Sequence, residues 1–176
     1  MSEVFIISDT HFGHRGILSF PSTKPFRPFD TIEDHDKELI CRWNEAVKPN
    51  DIVWHLGDFC FGKRNLVIAS FLNGKKRLVM GNHDTYPAED YLQYFDKIMG
   101  VTEYKGMVFS HMPVHPNQFP RYYLNVHGHL HTNHVLDDQG RKDNRYFNAS
   151  CENHNLTPFP IDEAMNYWAE HRYLTE

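Results

Sequence analysis

Five short clusters of polar residues in this chain consist almost entirely of Asp, His and Asn. They are Ser8-Asp9-Thr10-His11, Gly57-Asp58, Gly81-Asn82-His83-Asp84, Ser110-His111 and Gly128-His129-Leu130-His131. Carboxylate oxygens, amide oxygens and imidazole nitrogens are ligands for hard and borderline divalent cations. A set of this composition without thiolates suits Mn²⁺, Fe, Zn²⁺ or Ni²⁺, and we take Mn²⁺ as the first candidate.

An apolar run of the β type precedes these clusters. Val4-Phe5-Ile6-Ile7, Ile52-Val53-Trp54 and Arg77-Leu78-Val79-Met80 are short and mostly apolar, which is typical of buried parallel strands. Apolar residues at helical spacing from Ile32 to Val47, and again from Asn65 to Leu72, predict helices between these strands. Strands that alternate with helices indicate an α/β protein, in which functional groups gather at the carboxyl ends of the strands.

The second half of the chain has a different pattern, in which short strands follow one another closely. We predict a short helix at 89–95, strands at 98–104, 107–110 and 125–127, a hairpin of 134–136 with 145–149, and a final helix at 161–172. Lys105-Gly106 is suited to the turn of a hairpin between the first two of these strands. This half of the chain therefore indicates a second group of strands.

The overall composition is that of an ordinary globular protein, and 176 residues fit one domain, which we place at residues 1–176. The formal charge of −5 provides no general attraction for a polyanion, so binding of long nucleic acids is disfavoured. The three cysteines have no C-x-x-C spacing, which argues against a thiolate zinc site and fits a reducing compartment. With neither a secretion signal nor a long apolar run, we expect a cytoplasmic protein without a membrane partner.

Each cluster alone is weak evidence for a metal site, but the five clusters together are strong evidence. Asp9 and His11 lie two residues apart, so both side chains could bind one ion from an extended segment, although Asp9 or Thr10 could instead cap a helix. Five such clusters in one order, each at the end of a strand, form a much rarer pattern. In this combination the sequence resembles the calcineurin-like metallophosphoesterases, also called the purple-acid-phosphatase-like superfamily, and in particular its compact bacterial and phage members.

The resemblance extends from the first strand to about residue 131. The matching residues are Asp9-x-His11, Gly57-Asp58, Gly81-Asn82-His83-Asp84, His111 and Gly128-His129-x-His131. It implies an α/β fold, a four-layer α-β-β-α sandwich with two mixed β-sheets flanked by helices. It also implies that Asp9, His11 and His131 bind one metal, that Asn82, His111 and His129 bind a second, and that Asp58 bridges both. His83 and Asp84 would be catalytic, with His83 near the leaving group and oriented by Asp84.

The reaction expected from such a site is hydrolysis of a small phosphoester, either a phosphodiester or a nucleotide-like molecule. Two divalent ions about 3.5–4 Å apart can bind the attacking and the leaving oxygens, and a hydroxide that bridges them can attack phosphorus. An imidazole such as that of His83 can give the leaving group a proton near neutral pH. We therefore expect two divalent metal ions as cofactors and a small phosphorylated molecule as partner.

Residues outside the clusters are candidates for contacts with the substrate. His14 and Arg15 begin a long loop after the first cluster, and Arg15 could bind a phosphate, with a surface salt bridge as the alternative. A cationic rim could be formed by Arg15, Lys24, Arg27 and Arg121. Aromatic residues of the 12–30 loop could stack on a base, with loop packing as the alternative.

The remaining histidines divide by position. His127 and His115 could line the site, with packing or support of the ligands as the alternative for His127. We expect surface positions for His35, His134, His154 and His171. We expect His55 in the core with its hydrogen bonds satisfied.

Three other functions fit parts of the pattern. A nuclease of the same superfamily could act on nucleic-acid ends, but the acidic net charge and the lack of an accessory nucleic-acid domain argue against it. A non-catalytic metal-binding scaffold usually lacks ligands or the histidine that corresponds to His83. A structural zinc protein favours a closed tetrahedral site, often with cysteine.

Overall fold

The computed structural model describes residues 2–172, which form two β-sheets with helices around them. The strands are β1 (Val4–Ile7), β2 (Ile52–His55), β3 (Lys75–Val79), β4 (Lys97–Met99), β5 (Val101–Tyr104), β6 (Met107–Ser110), β7 (Leu124–His127), β8 (Tyr146–Asn148) and β9 (Phe159–Pro160). The first sheet has the order β4-β3-β2-β1-β9, with only β9 antiparallel to its neighbour. The second has the order β5-β6-β7-β8, with β5 antiparallel to β6 and the others parallel.

The helices follow from local sequence signals. They are α1 (Ile32–Ala46), α2 (Ala88–Tyr91), α3 (Ile161–His171) and a 3₁₀-helix at Lys63–Phe71. Shorter 3₁₀ turns lie at Arg15–Leu18, Lys24–Phe26, Pro116–Gln118 and Cys151–His154. Thr31 caps α1, since its hydroxyl accepts a hydrogen bond from the backbone N–H of Asp34 at 3.1 Å. No helix in the described part of the chain has the length and apolar character that crossing a membrane requires.

Alternation of side chains along the first sheet separates two apolar clusters. Phe5 and Ile7 point towards α1 and the 3₁₀-helix, where they pack with Trp43 and other residues of one buried cluster. Ile6 points the other way, into a second buried cluster that joins the two sheets and includes Phe109. The strands of the first sheet are therefore covered on both faces, as their continuous apolar runs predict.

The fold class expected from the sequence is confirmed, because the chain is a mixed α/β protein with two mixed sheets and flanking helices. The segment 112–123 lies over the outer face of the second sheet. Tyr146 donates its hydroxyl hydrogen to the carbonyl of Val114 at 2.8 Å, and its ring packs edge-on against Phe119. This segment thus buries side chains of β7 and β8 that face away from the first sheet.

Several element predictions need correction. The predicted strand at 98–104 divides at Gly100, so that β4 joins the first sheet and β5 the second. The predicted hairpin of 134–136 with 145–149 is wrong, because β8 pairs in parallel with β7 and completes the second sheet, leaving a single bridge between Leu136 and Lys142. The helices expected at 65–72 and 89–95 are a 3₁₀-helix and a single α-turn. The turn predicted at Lys105-Gly106 is confirmed, since β5 and β6 form the hairpin.

Candidate metal centre and active site

An unusual backbone conformation marks the residues expected to bind metals. Asp9, His11, Asp58, His129 and His131 all have positive φ angles, between 50° and 70°. Residues with a β-carbon rarely adopt this left-handed conformation, and it costs about 1–3 kcal/mol at each position. Strain of this kind persists where the surrounding structure enforces it, most often at functional sites. The same backbone strain at five of the predicted ligands therefore indicates a functional site.

The loops after β1 and β2 remain paired beyond the ends of the strands. Four backbone hydrogen bonds join them, from Asp9 N to Gly57 O at 3.0 Å, His11 N to Asp58 O at 3.0 Å, Phe12 N to Phe59 O at 2.9 Å, and Phe61 N to Phe12 O at 2.8 Å. Gly57 is required here, because it has a φ of +97° and a β-carbon would lie 2.6 Å from Nδ1 of His111. This pairing sets the first two clusters side by side in a fixed register.

The structure brings the predicted ligands together in two adjacent groups. Asp9, His11 and His131 form one group, and Asp58, His111 and His129 form the other, with one ligand atom of each residue within 4.8 Å of the others in its group. Asn82 adjoins the second group, since its Oδ1 lies 3.0 Å from Nε2 of His111.

Two distances join these groups into one site. Nε2 of His11 lies 3.8 Å from Oδ1 of Asp9 and 3.7 Å from Oδ2 of Asp58. Oδ2 of Asp58 is also 3.3 Å from Nε2 of His111. Asp58 is therefore between the two groups, as a bridging ligand would be.

The residues present fit divalent cations. Both ring nitrogens of His11 are buried, and neither has a hydrogen-bond partner among the described residues. Burial and the nearby charge of Arg27 hold the pKa of His11 well below its usual range, so the ring is neutral and can donate a lone pair. A buried polar atom without a partner is costly, and a cation bound by the two carboxylates would supply the missing contact.

The pKa values of Asp9 and Asp58 shift in opposite directions. Asp9 accepts hydrogen bonds from His129 N and Ser150 Oγ, both at 2.9 Å, yet burial raises the pKa of Asp9. Burial acts in the same direction on Asp58, but the hydrogen bond and charge of His111 outweigh it and lower the pKa of Asp58. Burial would lower the pKa of His111, whereas Asp58 raises it to about 9. Asp58 and His111 thus each shift the pKa of the other.

Asp84 has another role than the one expected for it. Its Oδ2 accepts the backbone N–H of Asp58 at 2.7 Å and of Gly81 at 2.9 Å, and its Oδ1 accepts that of Phe59 at 3.1 Å. The prediction that Asp84 orients the ring of His83 is therefore wrong. Its carboxylate instead fixes the turn that presents Asp58, which is a positioning role.

His83 lies at the open side of the site. Its backbone N–H donates to Oδ1 of Asp58 at 2.9 Å, and its Nε2 is 4.0 Å from Oδ2 of the same carboxylate. The side chain is 43% exposed, in contrast to the buried rings of His11 and His111. Of the clustered histidines, His83 is the one that solvent or substrate reaches most easily.

Glu152 and Arg27 support the site from the interior, and sequence reasoning missed both roles. Nδ1 of His131 donates to Oε1 of Glu152 at 2.9 Å, which leaves Nε2 of His131 for a metal. Arg27 donates from Nε to the same oxygen at 2.9 Å. Burial opposes ionisation of Glu152, but Arg27 and His131 lower its pKa to about 2, so it is ionised. The run Ser150-Cys151-Glu152 follows β8 after Ala149, but nothing in it points to Arg27 or to His131.

The cationic rim expected around the metals is absent in the form predicted, among the residues that the structure describes. Arg27 is fully buried and donates to the carbonyls of Thr10 at 3.1 Å and Asp9 at 2.6 Å, so it cannot contact a substrate. Arg15 is exposed and lies 3.6 Å from Glu33, which is the surface salt bridge left open as its alternative. Lys24 and Arg121 are exposed.

His14 is the loop residue nearest to the ligands. Its ring centroid lies 5.5 Å from that of His11, and the ring stacks on Phe61 with centroids 4.2 Å apart. It is half-buried, and burial followed by the charge of His83 lowers its pKa. The expected contact of His14 with substrate is therefore compatible with its position.

The other histidines are mostly structural. His35 was expected at the surface but is buried, where Nε2 accepts a hydrogen bond from Arg27 at 2.7 Å. His55 is the core histidine expected, hydrogen-bonded to Thr10 at 2.9 Å. His127 is buried against Tyr146, and burial lowers its pKa to about 4, which favours packing over a role in the site. His115 and His134 are exposed, whereas His154 and His171 are half-buried rather than fully at the surface.

We expect Glu152→Gln to lower the affinity for one of two metals by about 10- to 100-fold, because the amide cannot match the charged hydrogen bond to His131. Titration of the metal-free protein with Mn²⁺, followed by calorimetry, measures both affinities. Glu163→Gln is a matched control, since Glu163 is an exposed carboxylate 3.8 Å from Nδ1 of His154. Unchanged affinities in Glu152→Gln would contradict the supporting role.

Comparison with known proteins identifies the family. The model of the calcineurin-like phosphoesterases matches residues 3–172. Uncharacterized protein MJ1445 of Methanocaldococcus jannaschii is 35% identical over 173 residues, which cover 92% of this chain and 89% of that protein. The Gene 66 protein of Mycobacterium phage L5 is 34% identical over 89 residues, covering 48% of this chain and 41% of the phage protein. A protein of unknown function, AQ665 from Aquifex aeolicus, has a crystal structure that matches with a TM-score of 0.69 and 28% identity, covering 94% of this chain and 99% of its own. The chain belongs to the calcineurin-like phosphoesterase family.

Proposed function

We propose that this protein is a metal-dependent phosphoesterase that hydrolyses a small phosphodiester or nucleotide at a site for two divalent cations. The observation that carries the proposal is the position of Asp58 between two groups of ligands, 3.3 Å from His111 Nε2 and 3.7 Å from His11 Nε2. Membership of the phosphoesterase family supports the reaction class. The donor set of carboxylates, imidazoles and one amide suits Mn²⁺ best and also accommodates Fe, Zn²⁺ or Ni²⁺.

Each ligand has a defined place in this proposal. Asp9, His11 and His131 hold one cation, His111, His129 and Asn82 hold the other, and Asp58 is shared. When bound, two such cations neutralise phosphoryl oxygens and acidify a water molecule. The buried ligands exclude bulk solvent from the inner side of the site, so a substrate approaches from the side of Asn82 and His83, which are exposed.

His83 acts on the leaving group in this proposal. Its backbone is tied to Asp58, so the ring stays at the rim of the site while remaining accessible. Its imidazole can give a proton to the oxygen that departs from phosphorus. His14 lies on the same open side and is the better candidate for a substrate contact than Arg15, which pairs with Glu33.

A screen of phosphomonoesters, phosphodiesters and cyclic nucleotides with Mn²⁺, Ni²⁺, Zn²⁺ and Mg²⁺ tests the proposal directly. We expect hydrolysis that a chelator abolishes and that added metal restores, because the buried ligands cannot activate water alone. Metal content is measured on the same samples by plasma mass spectrometry. A protein that retains two metals and hydrolyses none of these esters would be a scaffold, and the proposal would fail.

Replacing His83 with Ala should reduce kcat by about 100-fold or more, as expected for loss of a general acid. The metal content should remain near two per chain, because His83 lies at the rim and outside both ligand groups. His134→Ala is the control, since His134 is also exposed and belongs to neither group. If His83→Ala loses metal instead, His83 is a ligand and the assigned role is wrong.

Asp58→Asn should weaken binding of both cations together, because the substitution removes the one charged side chain that lies between the two ligand groups. Calorimetric titration of the metal-free variant with Mn²⁺ measures both affinities. Asp162→Asn, at an exposed position in the first turn of α3, should bind metal like the unmodified protein. Loss of only one cation in Asp58→Asn would remove the bridging role.

A further inference from the structure

Four aromatic rings form a closed set at the open side of the candidate active site. Their centroids are separated by 5.5 Å between His11 and His14, 4.2 Å between His14 and Phe61, 5.3 Å between Phe61 and His83, and 5.7 Å between His83 and His11. His11 is buried among the ligands, whereas Phe61 is 40% exposed. The set therefore leads from the predicted metals to solvent, with a phenylalanine at its outer end.

Phe61 is held in this exposed position by its backbone. Its N–H donates to the carbonyl of Phe12 at 2.8 Å, and its carbonyl accepts a hydrogen bond from the side chain of Asn65. Phe12 directly follows His11, so the ring of Phe61 is fixed relative to the ligands. A large apolar ring kept in solvent beside catalytic groups is characteristic of a ligand-binding surface.

Phe20 extends the same surface on the other side of His14. It is 46% exposed, and its ring meets that of His14 edge-on with centroids 5.9 Å apart. Gly16 allows this approach, since a β-carbon there would lie 3.0 Å from Nε2 of His14 and 3.3 Å from the ring of Phe20. We call Phe20, His14 and Phe61 the aromatic shelf.

We propose that the aromatic shelf binds the nucleobase of the substrate, which makes the substrate a nucleotide or a nucleoside phosphodiester. The inference rests on the proposed phosphoesterase function and adds the class of substrate. Flat rings stack on bases whatever their sequence, and each such contact strengthens binding considerably. Phe61 contacts the ring of His83, so a base attached through its sugar to the leaving oxygen would lie over Phe61.

The charges around the site favour recognition by stacking over recognition by a row of cations. Arg27 is buried against Glu152, and Arg15 is paired with Glu33. The chain as a whole carries a formal charge of −5. We therefore expect the metals and the apolar surface next to them to contribute most of the affinity for a small anionic substrate.

The test compares AMP with ribose-5-phosphate, which share the phosphate and sugar and differ by the base. Binding to the Mn²⁺-loaded full chain is measured by calorimetry. We expect AMP to bind roughly tenfold or more tightly, from the usual strength of base stacking on an aromatic side chain. Phe61→Leu should remove this preference and leave binding of ribose-5-phosphate and the metal content unchanged, whereas Phe61→Trp should keep it.

Phe71→Leu is the matched control, because Phe71 is an exposed phenylalanine at the far end of the 3₁₀-helix and should not affect the preference. Phe20→Leu is a second variant, and it should weaken the preference for AMP over ribose-5-phosphate in part. Three results would each overturn the proposal that the aromatic shelf binds a nucleobase. They are equal binding of AMP and ribose-5-phosphate, binding of neither, and an unchanged preference in Phe61→Leu. Hydrolysis of simple diesters by a protein with equal binding would leave the phosphoesterase function standing, whereas failure to bind metal would remove that function itself.

Discussion

The site depends on the register between β1 and β2, and on the continuation of that register after both strands end. Ile7 lies beside His55 in the sheet, and the hydrogen bonds from Asp9 to Gly57 and from His11 to Asp58 extend the same alignment. A shift by one residue would turn every side chain to the opposite face and bury the wrong ones. The apolar faces on both sides of the sheet therefore fix the positions of the ligands.

The same constraint explains the left-handed residues. Asp9 and His11 each have positive φ, and so does Asp58 on the neighbouring loop. Each of these turns brings a side chain back over the end of the sheet, where an ordinary strand would direct it away. The strain persists because Asp84 holds the Asp58 turn and Arg27 holds the carbonyls of Asp9 and Thr10. Two charged side chains thus stabilise the backbone that presents other charged side chains.

Burial of this many carboxylates needs compensation, and the structure provides it in two ways. Arg27, which is itself fully buried, neutralises Glu152. Arg27 and His131 both contact Oε1 of that carboxylate. Asp58 is paired with His111, whose pKa is about 9. Asp9 has backbone and hydroxyl donors but, within residues 2–172, no side chain of opposite charge in hydrogen-bond contact, and burial raises its pKa. Divalent cations would complete this balance at Asp9 and Asp58.

The sequence predicts the inner part of this arrangement well, because the pattern that carries it is local. An apolar run followed at once by Asp, His or Asn needs no knowledge of the rest of the chain, and the first three strands were found in this way. The contact between Arg27 and Glu152 that supports the site could not be predicted from such a local pattern. These residues are 125 positions apart, and a charged side chain is usually at the surface. His35 was misplaced for the same reason.

The predictions of strand pairing were wrong where two neighbouring strands or sheets could have paired with the same segment. The residues of β8 alternate in a manner suited to a hairpin with 134–136, but they pair in parallel with β7, where Tyr146 and Asn148 are buried. Gly100 is another case, because no local signal distinguishes a long strand from two short ones that join different sheets. Competition between sheets is a property of the whole fold, which short-range patterns do not contain.

The structure separates the buried predicted ligands from the accessible aromatic rings that are proposed to contact the substrate. His11, His111 and Asp58 are buried, and His11 and Asp58 also have positive φ, so these positions tolerate little change. His83 and Phe61 are accessible, yet each is anchored to a buried loop, His83 through Asp58 and Phe61 through Phe12. Through these hydrogen bonds the positions of both outer rings depend on the loop after β2, which carries Asp58 and Phe61, and therefore on the register of β1 and β2. In the proposed reaction, a change of side chain at position 61 would alter the contact with the substrate and leave the predicted ligands in place.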